Sequence, residues 1–176
     1  MIGNESLIVG KYLKAKRSSV EQQAKLVEYL KKGGVDVQEV DDVEKVRWQK
    51  LLWNASFSPI CTLTGMNTSE VLENEEAIKA VKALINEVVK VANAEGCDFD
   101  VEQQTETMIE KTYATAKNYK PSMQLDKERG SPMEIEAILG NALKRAKARG
   151  LNVPQLEMVY SICSAANQHI INMPKL

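Results

Sequence analysis

The sequence predicts a mainly α-helical protein in which a short strand–helix–strand unit precedes an all-helical domain. After about residue 41, apolar residues recur at helical spacing almost without interruption, whereas the first forty residues contain two short β-branched runs. The chain is 44% hydrophobic but only 5% aromatic, which favours a core of aliphatic side chains packed between helices. We therefore predict two parts, residues 1–41 and residues 42–176.

The first part has the pattern of two strands joined through a helix. Leu7–Val9 is a β-branched run, and Ser18 with Glu21 forms a capping box that opens a helix. Gly33–Gly34 ends that helix, and Val35–Val40 follows with mostly alternating polarity. Strands connected through a helix are expected to be parallel. Because two strands alone are only marginally stable in water, we expect them to be the edge of a larger sheet.

The second part is predicted to be helical throughout, with capping residues, prolines and glycines marking where helices begin and end. A helix opened by an Asp41–Glu44 capping box is expected to end near Phe57, because Pro59 follows. The further helices predicted are 75–95, 100–117, one opened by Ser131–Pro132 and closed at Gly150, and a last one starting at Asn152 and Pro154.

Composition argues against several classes of function. The chain has 23 basic and 24 acidic residues and a net charge of −1, without the basic surplus of a nucleic-acid-binding protein. Its three cysteines are widely spaced and accompanied by a single histidine, which predicts reduced thiols and no zinc site. No signal-peptide or membrane-span pattern is present, so we expect a cytoplasmic protein without membrane partners.

The helix from Asp42 to Phe57 carries an unusual second polar stripe. Lys50 and Asn54 are four residues apart, so they lie one above the other, and Ser58 continues the stripe if the helix extends that far. Apolar residues cover the helix on both flanks of this stripe. A helix that is apolar on two flanks is mostly buried, which would turn Lys50 and Asn54 towards a cleft. A broad solvated face is the alternative, and the stripe alone does not decide between them.

Two further polar residues lie in the region after the middle helices. Ser122 follows Lys120–Pro121, and Glu134 follows Ser131–Pro132. Each also has a purely structural interpretation, Ser122 as a helix N-cap and Glu134 as the partner of Ser131 in a capping box. Taken singly, neither residue identifies a site.

Together, these segments resemble the C-terminal domain of the ketopantoate reductase family. The first matching segment is Trp48–Asn54 followed by Ser58–Gly65, with its lysine and asparagine four apart before a proline, threonine and glycine turn. The second comprises Lys120–Asp126, Gly130, Met133–Glu136, Gly140 and Val153–Pro154. The resemblance covers essentially the whole chain when residues 1–40 are counted as the tail of a cofactor domain.

The resemblance implies a two-domain oxidoreductase that reduces 2-dehydropantoate to pantoate with NADPH, in pantothenate biosynthesis. It implies a Rossmann domain, represented here by residues 1–41, and a helical domain similar to the C-terminal domain of 6-phosphogluconate dehydrogenase. By matching position, Lys50 is the general acid, and Glu134 is a catalytic position that contacts substrate hydroxyls and influences Lys50. Asn54, Ser58 and Ser122 match substrate-binding positions. Relatives often form homodimers through the helical domain.

Two departures from the family pattern affect these expectations. Ser58 stands where many relatives have asparagine, which leaves open a different small 2-keto acid as substrate. The chain contains no GxGxxG motif, so the dinucleotide-binding part of a Rossmann domain is missing from these residues. We therefore expect the chain to be inactive without that part. The alternative from a different functional class is a non-catalytic helical module for dimerisation or other interactions, suggested by the unpaired strand edges and apolar helices.

Overall fold

The computed structural model describes residues 6–12, 20–115 and 117–173. The chain divides into two compact units, Met1–Gln49 and Lys50–Leu176. The first unit contains strand β1 (Ser6–Gly10), helix α1 (Val20–Lys32) and strand β2 (Asp36–Val40). The remaining helices are α2 (Val43–Thr64), α3 (Thr68–Glu73), α4 (Glu75–Ala94), α5 (Val101–Thr115), α6 (Ser122–Glu128), α7 (Asn141–Ala148), which is preceded by a π-helical turn (Glu136–Gly140), and α8 (Pro154–Asn172). The predicted fold class, mainly helical with a short parallel pair of strands, is confirmed.

The strands of the first unit pair in parallel, with Leu7 opposite Val37. Both strands are partly exposed, and among the described residues they form a two-stranded sheet only. Val27 is the buried residue of α1. The capping box predicted for α1 involves Ser18, which lies outside the described residues.

Helix α2 is longer than predicted. Its first turn is capped by Asp42, whose side chain accepts a hydrogen bond from the Glu44 backbone N–H at 2.9 Å. The prediction that it ends near Phe57 is wrong, because the helix continues through Pro59 to Thr64. Proline normally disrupts a helix by removing one N–H and crowding the preceding turn. Here residues 55–62 are buried, so tertiary packing overrides that local preference.

Helix α4 forms the centre of the second unit. It begins and ends within a residue of the prediction, and the Asn74 side chain caps its first turn. Its inner face includes Val81, Leu84 and Val88, each at most 1% exposed. The neighbouring α3, α5, α7 and α8 all contact α4. Helix α3, which we did not predict, has a complete capping box between Asn67 and Glu70.

The segment between α6 and α7 also differs from the prediction. Helix α6 ends at Glu128 and is capped by Arg129. Gly130 follows with a φ of +66°, a left-handed conformation suited to glycine, and the Ser131 N–H bonds back to the Asp126 carbonyl. Ser131 therefore completes the end of α6 and does not open the next helix. Residues 131–134 are not helical, and the helical backbone resumes only at Ile135.

Candidate active site

The polar stripe of α2 contains three of the five predicted site residues. Lys50 is exposed, Asn54 is half-buried one turn later, and Ser58 is only 3% exposed in the turn after that. The Lys50 side chain forms no hydrogen bond or ion pair with any other residue that the structure describes. Because Leu52 and Phe57 on the same helix are fully buried, the backbone that carries Lys50 is fixed by packing while its ammonium group stays accessible.

Trp53 lies directly beside the polar stripe. It is three residues after Lys50 and one before Asn54, so it neighbours Lys50 on the helix surface. Its ring stacks on Phe57 with centroids 5.5 Å apart, and its Nε1 donates a hydrogen bond to Thr112 Oγ1 of α5 at 2.9 Å. These two contacts fix the indole on one flank of the stripe.

The segment that leads into Ser122 lies against this indole. The ring centroids of Tyr119 and Trp53 are 6.0 Å apart, with the planes tilted by 53°. The Tyr119 backbone exchanges two hydrogen bonds with Thr68: its N–H donates to Thr68 Oγ1, and its carbonyl accepts from the Thr68 N–H, both at 3.0 Å. The structure therefore places the segment before α6 against Trp53 of α2.

Ser122 is the first residue of α6 and is exposed. The N-cap position belongs to Pro121, and no side-chain hydrogen bond caps this helix. The capping role considered for Ser122 is thus not observed, and its hydroxyl is accessible at the start of the helix. Two side chains of α6 bond carbonyls at the end of α2: Gln124 donates to Gly65 at 3.0 Å, and Lys127 donates to Thr62 at 2.8 Å.

Glu134 occupies the non-helical segment between α6 and α7. Its side chain is exposed, whereas its neighbours Met133 and Ile135 are buried. Asn167 of α8 holds this segment: its Oδ1 accepts from the Met133 N–H at 2.8 Å, and its Nδ2 donates to the Met133 carbonyl at 3.3 Å. Glu134 and Asn167 line an open groove of about 500 Å³ with Glu136, Tyr160, Ser164 and Gln168, among others.

The π-helical turn after Glu134 places a second carboxylate at this groove. Glu136 accepts hydrogen bonds from Lys144 and Tyr160, and these bonds hold the pKa of its carboxyl below the ordinary value. Its negative charge is therefore already partnered by residues of α7 and α8. Glu134 has no such ion pair among the residues described, which leaves it the more available carboxylate for a ligand.

The structure links the α2 stripe to Ser122 through the Trp53–Tyr119 contact, but Glu134 is linked by no hydrogen bond or ion pair to Lys50 among the described residues. Asn167 and Tyr119 were missed by the sequence reasoning. Asn167 looks like one more polar residue of a surface helix, and its role depends on a contact 34 residues away along the chain. Tyr119 precedes the Lys120–Asp126 motif by one residue, which was a usable signal.

Two of the three cysteines, Cys61 and Cys163, are unsuited to act as nucleophiles. Cys61 and Cys163 are fully buried, and burial raises the pKa of the Cys61 thiol to about 12 and that of Cys163 to about 11. Both thiols are therefore protonated at neutral pH and react poorly. Over the ranges 6–12, 20–115 and 117–173, no group of three or more histidine, cysteine, aspartate or glutamate side chains is arranged to hold a metal ion. Within the same ranges, no helix has the length and apolar character to cross a membrane.

Comparison with known proteins finds the same family by sequence and by structure. The domain family described as "Ketopantoate reductase PanE/ApbA C terminal" matches residues 42–167. The 2-dehydropantoate 2-reductase of Nostoc sp. is 30% identical over 127 residues, which are 72% of this chain and 39% of that protein. The structure of 2-dehydropantoate 2-reductase from Geobacter metallireducens is 32% identical with a TM-score of 0.79, covering 90% of this chain and 52% of that one.

A dimeric ketopantoate reductase from Staphylococcus aureus, 24% identical, has a similar fold, with a TM-score of 0.79 over 88% of this chain and 53% of that one. The chain thus spans about half the length of the relatives it matches. A family match over residues 42–167, together with two relatives at 30% identity or more, establishes the assignment. This chain belongs to the ketopantoate reductase family and contains its helical C-terminal domain.

Proposed function

We propose that this chain supplies the substrate-binding side of a cytoplasmic, nicotinamide-dependent reductase that converts a 2-keto acid, such as 2-dehydropantoate, into the 2-hydroxy acid. Residues 42–176 are the substrate-binding and dimerisation domain in this proposal, and residues 1–41 are the end of a Rossmann domain. Lys50 is the general acid, and Glu134 is a second catalytic residue. Asn54, Ser58 and Ser122 contact the substrate.

The observation that carries this proposal is that the Lys50 side chain is accessible and unpaired among the described residues, while the helix that carries it is fixed by packing. Lysine on a helix surface is ordinarily solvated and mobile. Here the helix is buried on both sides of the lysine, and the segment carrying Ser122 is anchored against the adjacent indole. These contacts support a site in which the Lys50 ammonium, the Asn54 amide and the Ser122 hydroxyl act on one ligand from backbones held by packing.

This arrangement suits the reduction of a carbonyl group. When the carbonyl carbon of a 2-keto acid is reduced, negative charge develops on its oxygen. An ammonium group held at that oxygen stabilises the charge and donates the proton that completes the alcohol. In this scheme the Asn54 amide and the Ser122 hydroxyl orient the keto acid by hydrogen bonds. Ser58 is the least exposed of the three residues, so its hydroxyl extends least far towards the substrate.

The sequence of this chain lacks the motif that binds a dinucleotide. Binding of its pyrophosphate in a Rossmann fold needs a glycine-rich turn that leads from a strand into a helix N-terminus. The turn between β2 and α2 contains no glycine, and the whole sequence has no GxGxxG. We therefore assign no residue of this chain to the cofactor, and NADPH enters the proposal only as the hydride donor expected from the family.

The proposal is tested by turnover of a chimaera. We would join this chain to the half of the Geobacter metallireducens reductase that it does not cover, and follow oxidation of NADPH and of NADH with 2-dehydropantoate and other 2-keto acids. Lys50→Ala should lower kcat by about 100-fold or more, the usual contribution of a positioned general acid. The chain alone should show no turnover.

Lys82→Ala is the matched control, because Lys82 is an exposed lysine of α4 away from the stripe. It should leave kcat within about twofold, as expected for a surface substitution. Equal activity of the Lys50→Ala and unsubstituted chimaeras would exclude the general-acid mechanism. Turnover by the chain without its added half would exclude the assignment of the cofactor to another region.

A second candidate function, self-association, is favoured by the outer face of α8. Met158 is 64% exposed and Ile162 is 48% exposed, and their spacing of four residues places them side by side. Exposed apolar patches of this kind mark contact surfaces, and one relative is described as dimeric. Sedimentation velocity of this chain should show a concentration-dependent dimer that Ile162→Lys weakens. A monomer at all concentrations would contradict this candidate.

A further inference from the structure

We infer that Gln124 is a positioning residue, which holds the Ser122 hydroxyl in its substrate-binding position by anchoring the first turn of α6 to the end of α2. This inference rests on the proposed function, in which Ser122 contacts the substrate. Ser122 is the first residue of a helix of seven residues that no side chain caps. A helix this short has few hydrogen bonds of its own, so its orientation depends on the elements to which it is bonded.

Two side chains of α6 bond it to the end of α2. Gln124 Nε2 donates to the Gly65 carbonyl at 3.0 Å, and Lys127 Nζ donates to the Thr62 carbonyl at 2.8 Å. The last carbonyls of a helix have no partner within it, so they readily accept hydrogen bonds from a neighbouring element. Gln124 and Lys127 are three residues apart and therefore lie on one face of α6. Gln124 fixes the first turn of α6, and Lys127 fixes the last.

Ser122 lies on the side of α6 opposite to Gln124. Successive residues of an α-helix are turned by about 100°, so the two residues are separated by about 200°. Their burial agrees, since Gln124 is 1% exposed whereas Ser122 is exposed. A rotation of α6 by about 10° would move an atom about 5–6 Å from the helix axis by about 1 Å. Because a displacement of that size impairs a positioned group, the contact of Gln124 with α2 controls the position of Ser122.

The Gln124 amide is oriented by two acceptors for its nitrogen. The second acceptor is Glu128 Oε1 at 3.4 Å, which also accepts from Lys120 Nζ at 2.7 Å. The Gln124 oxygen is buried and has no hydrogen-bond partner among the described residues. Burying a polar atom without a partner costs free energy, which an apolar side chain of the same size would avoid. The contribution of this amide therefore lies in the directional bonds of its nitrogen.

Gln124→Met tests the inference, because methionine fills a similar volume without a donor or an unpaired oxygen. Gly65 is exposed, so its carbonyl can bond water instead, and the melting temperature of the full chain should change by less than about 4 °C. The dissociation constant of 2-dehydropantoate, measured by NMR titration, should rise about fivefold, the factor expected for one lost hydrogen bond. Ser122→Ala should raise it by a similar factor, and the double variant should exceed neither single variant.

The amide cross-peaks of the full chain distinguish positioning from a general loss of stability. In the unsubstituted chain, 2-dehydropantoate should shift the cross-peaks of Ser122 and Lys50. In Gln124→Met the shift at Ser122 should be largely lost, whereas that at Lys50 should remain because α2 is held by its own packing. Asn93→Ala is the matched control, since this amide also bonds backbone groups, those of Phe99. It should leave the dissociation constant and both shifts unchanged, and an equal loss in this variant would overturn the inference.

The remaining outcomes separate this inference from the proposed function. If Lys50→Ala weakens binding of 2-dehydropantoate but Gln124→Met does not, the positioning role is wrong and the proposed function stands. Effects of Gln124→Met and Ser122→Ala that multiply in the double variant would also overturn the positioning role, because Gln124 would then act independently of Ser122. If 2-dehydropantoate does not bind, or Lys50→Ala changes nothing, the proposed function fails and the positioning role fails with it.

Discussion

Two regions of the candidate site hold their functional side chains in different ways. Lys50 and Asn54 lie on α2, a helix of 22 residues whose flanks are buried over several turns. Glu134 lies on a non-helical segment that one side chain, Asn167, holds by two hydrogen bonds to the Met133 backbone. Several buried helical turns thus fix the first region, whereas the second is held by the buried neighbours Met133 and Ile135 and by the two Asn167 hydrogen bonds.

This difference predicts where the site is sensitive. Removing one contact from α2 leaves the rest of its packing intact, so the position of Lys50 should change little. Removing Asn167 leaves two backbone groups of the Glu134 segment without their partners, so the position of Glu134 should change more than that of Lys50. A displacement of about 1 Å at a positioned group can lower a rate by up to about 100-fold.

Among substitutions of residues that support the site from outside it, the largest effect is therefore expected for Asn167→Ala, with Asn167 acting as a positioning residue for Glu134. In the chimaera, kcat/KM should fall by about 10-fold or more, while the free energy of unfolding falls by only about 1–2 kcal/mol, as expected for the loss of two hydrogen bonds. Asn167→Asp keeps the acceptor for the Met133 N–H and should recover part of the activity. Steady-state kinetics and urea denaturation measure the two quantities separately.

A double-mutant cycle shows whether Asn167 acts through Glu134. In a Glu134→Ala background, Asn167→Ala should have almost no further effect on kcat/KM, because the group it positions is gone. Gln168→Ala is the matched control, since Gln168 lines the same groove but, among the described residues, its side chain bonds only to Asn172 of its own helix. Additive effects of the Asn167 and Glu134 substitutions would reject the positioning role.

The parts of the fold that were predictable are those in which the local sequence signals agree with the packing. For α4, the cap at Asn74, the apolar face and the stop at Gly96 all agree with the final packing, and its bounds were predicted within a residue. At Pro59 and at Ser131 the local signals disagreed with the packing. Because residues 55–62 are buried, α2 continues beyond Pro59. Ser131 belongs to the end of α6, because its N–H bonds to the Asp126 carbonyl.

The candidate site likewise has one part that the sequence predicts and one part that it does not. The Lys50–Asn54–Ser58 stripe was predictable, because helical spacing alone places these residues on one face. The groove of Glu134 was not, since it depends on Asn167 and Tyr160 of α8, residues brought close only by the fold. The start of α8 illustrates the same limit: buried Glu87 of α4, not Asn152, accepts the N–H groups of Gln155 and Leu156.

The smallest effect is expected for Thr112→Val, which tests whether the position of Lys50 on α2 depends on a single hydrogen bond. The substitution keeps the shape of the side chain but removes the acceptor for Trp53 Nε1. Loss of this hydrogen bond should lower the free energy of unfolding by about 1 kcal/mol. Stacking on Phe57 and the contact with Tyr119 remain, so kcat/KM should change by less than about twofold.

Thr105→Val is the matched control on the same helix, because both hydroxyls donate to the carbonyl four residues earlier, Thr112 to Met108 and Thr105 to Val101. Only Thr112 also accepts a bond from the indole, so the difference in unfolding free energy between the two variants isolates the contribution of that bond. A fall in kcat/KM as large as that of Asn167→Ala would mean that α2 is held as weakly as the Glu134 segment. The contrast between the two regions would then be wrong, because one hydrogen bond would set the position of Lys50 as well.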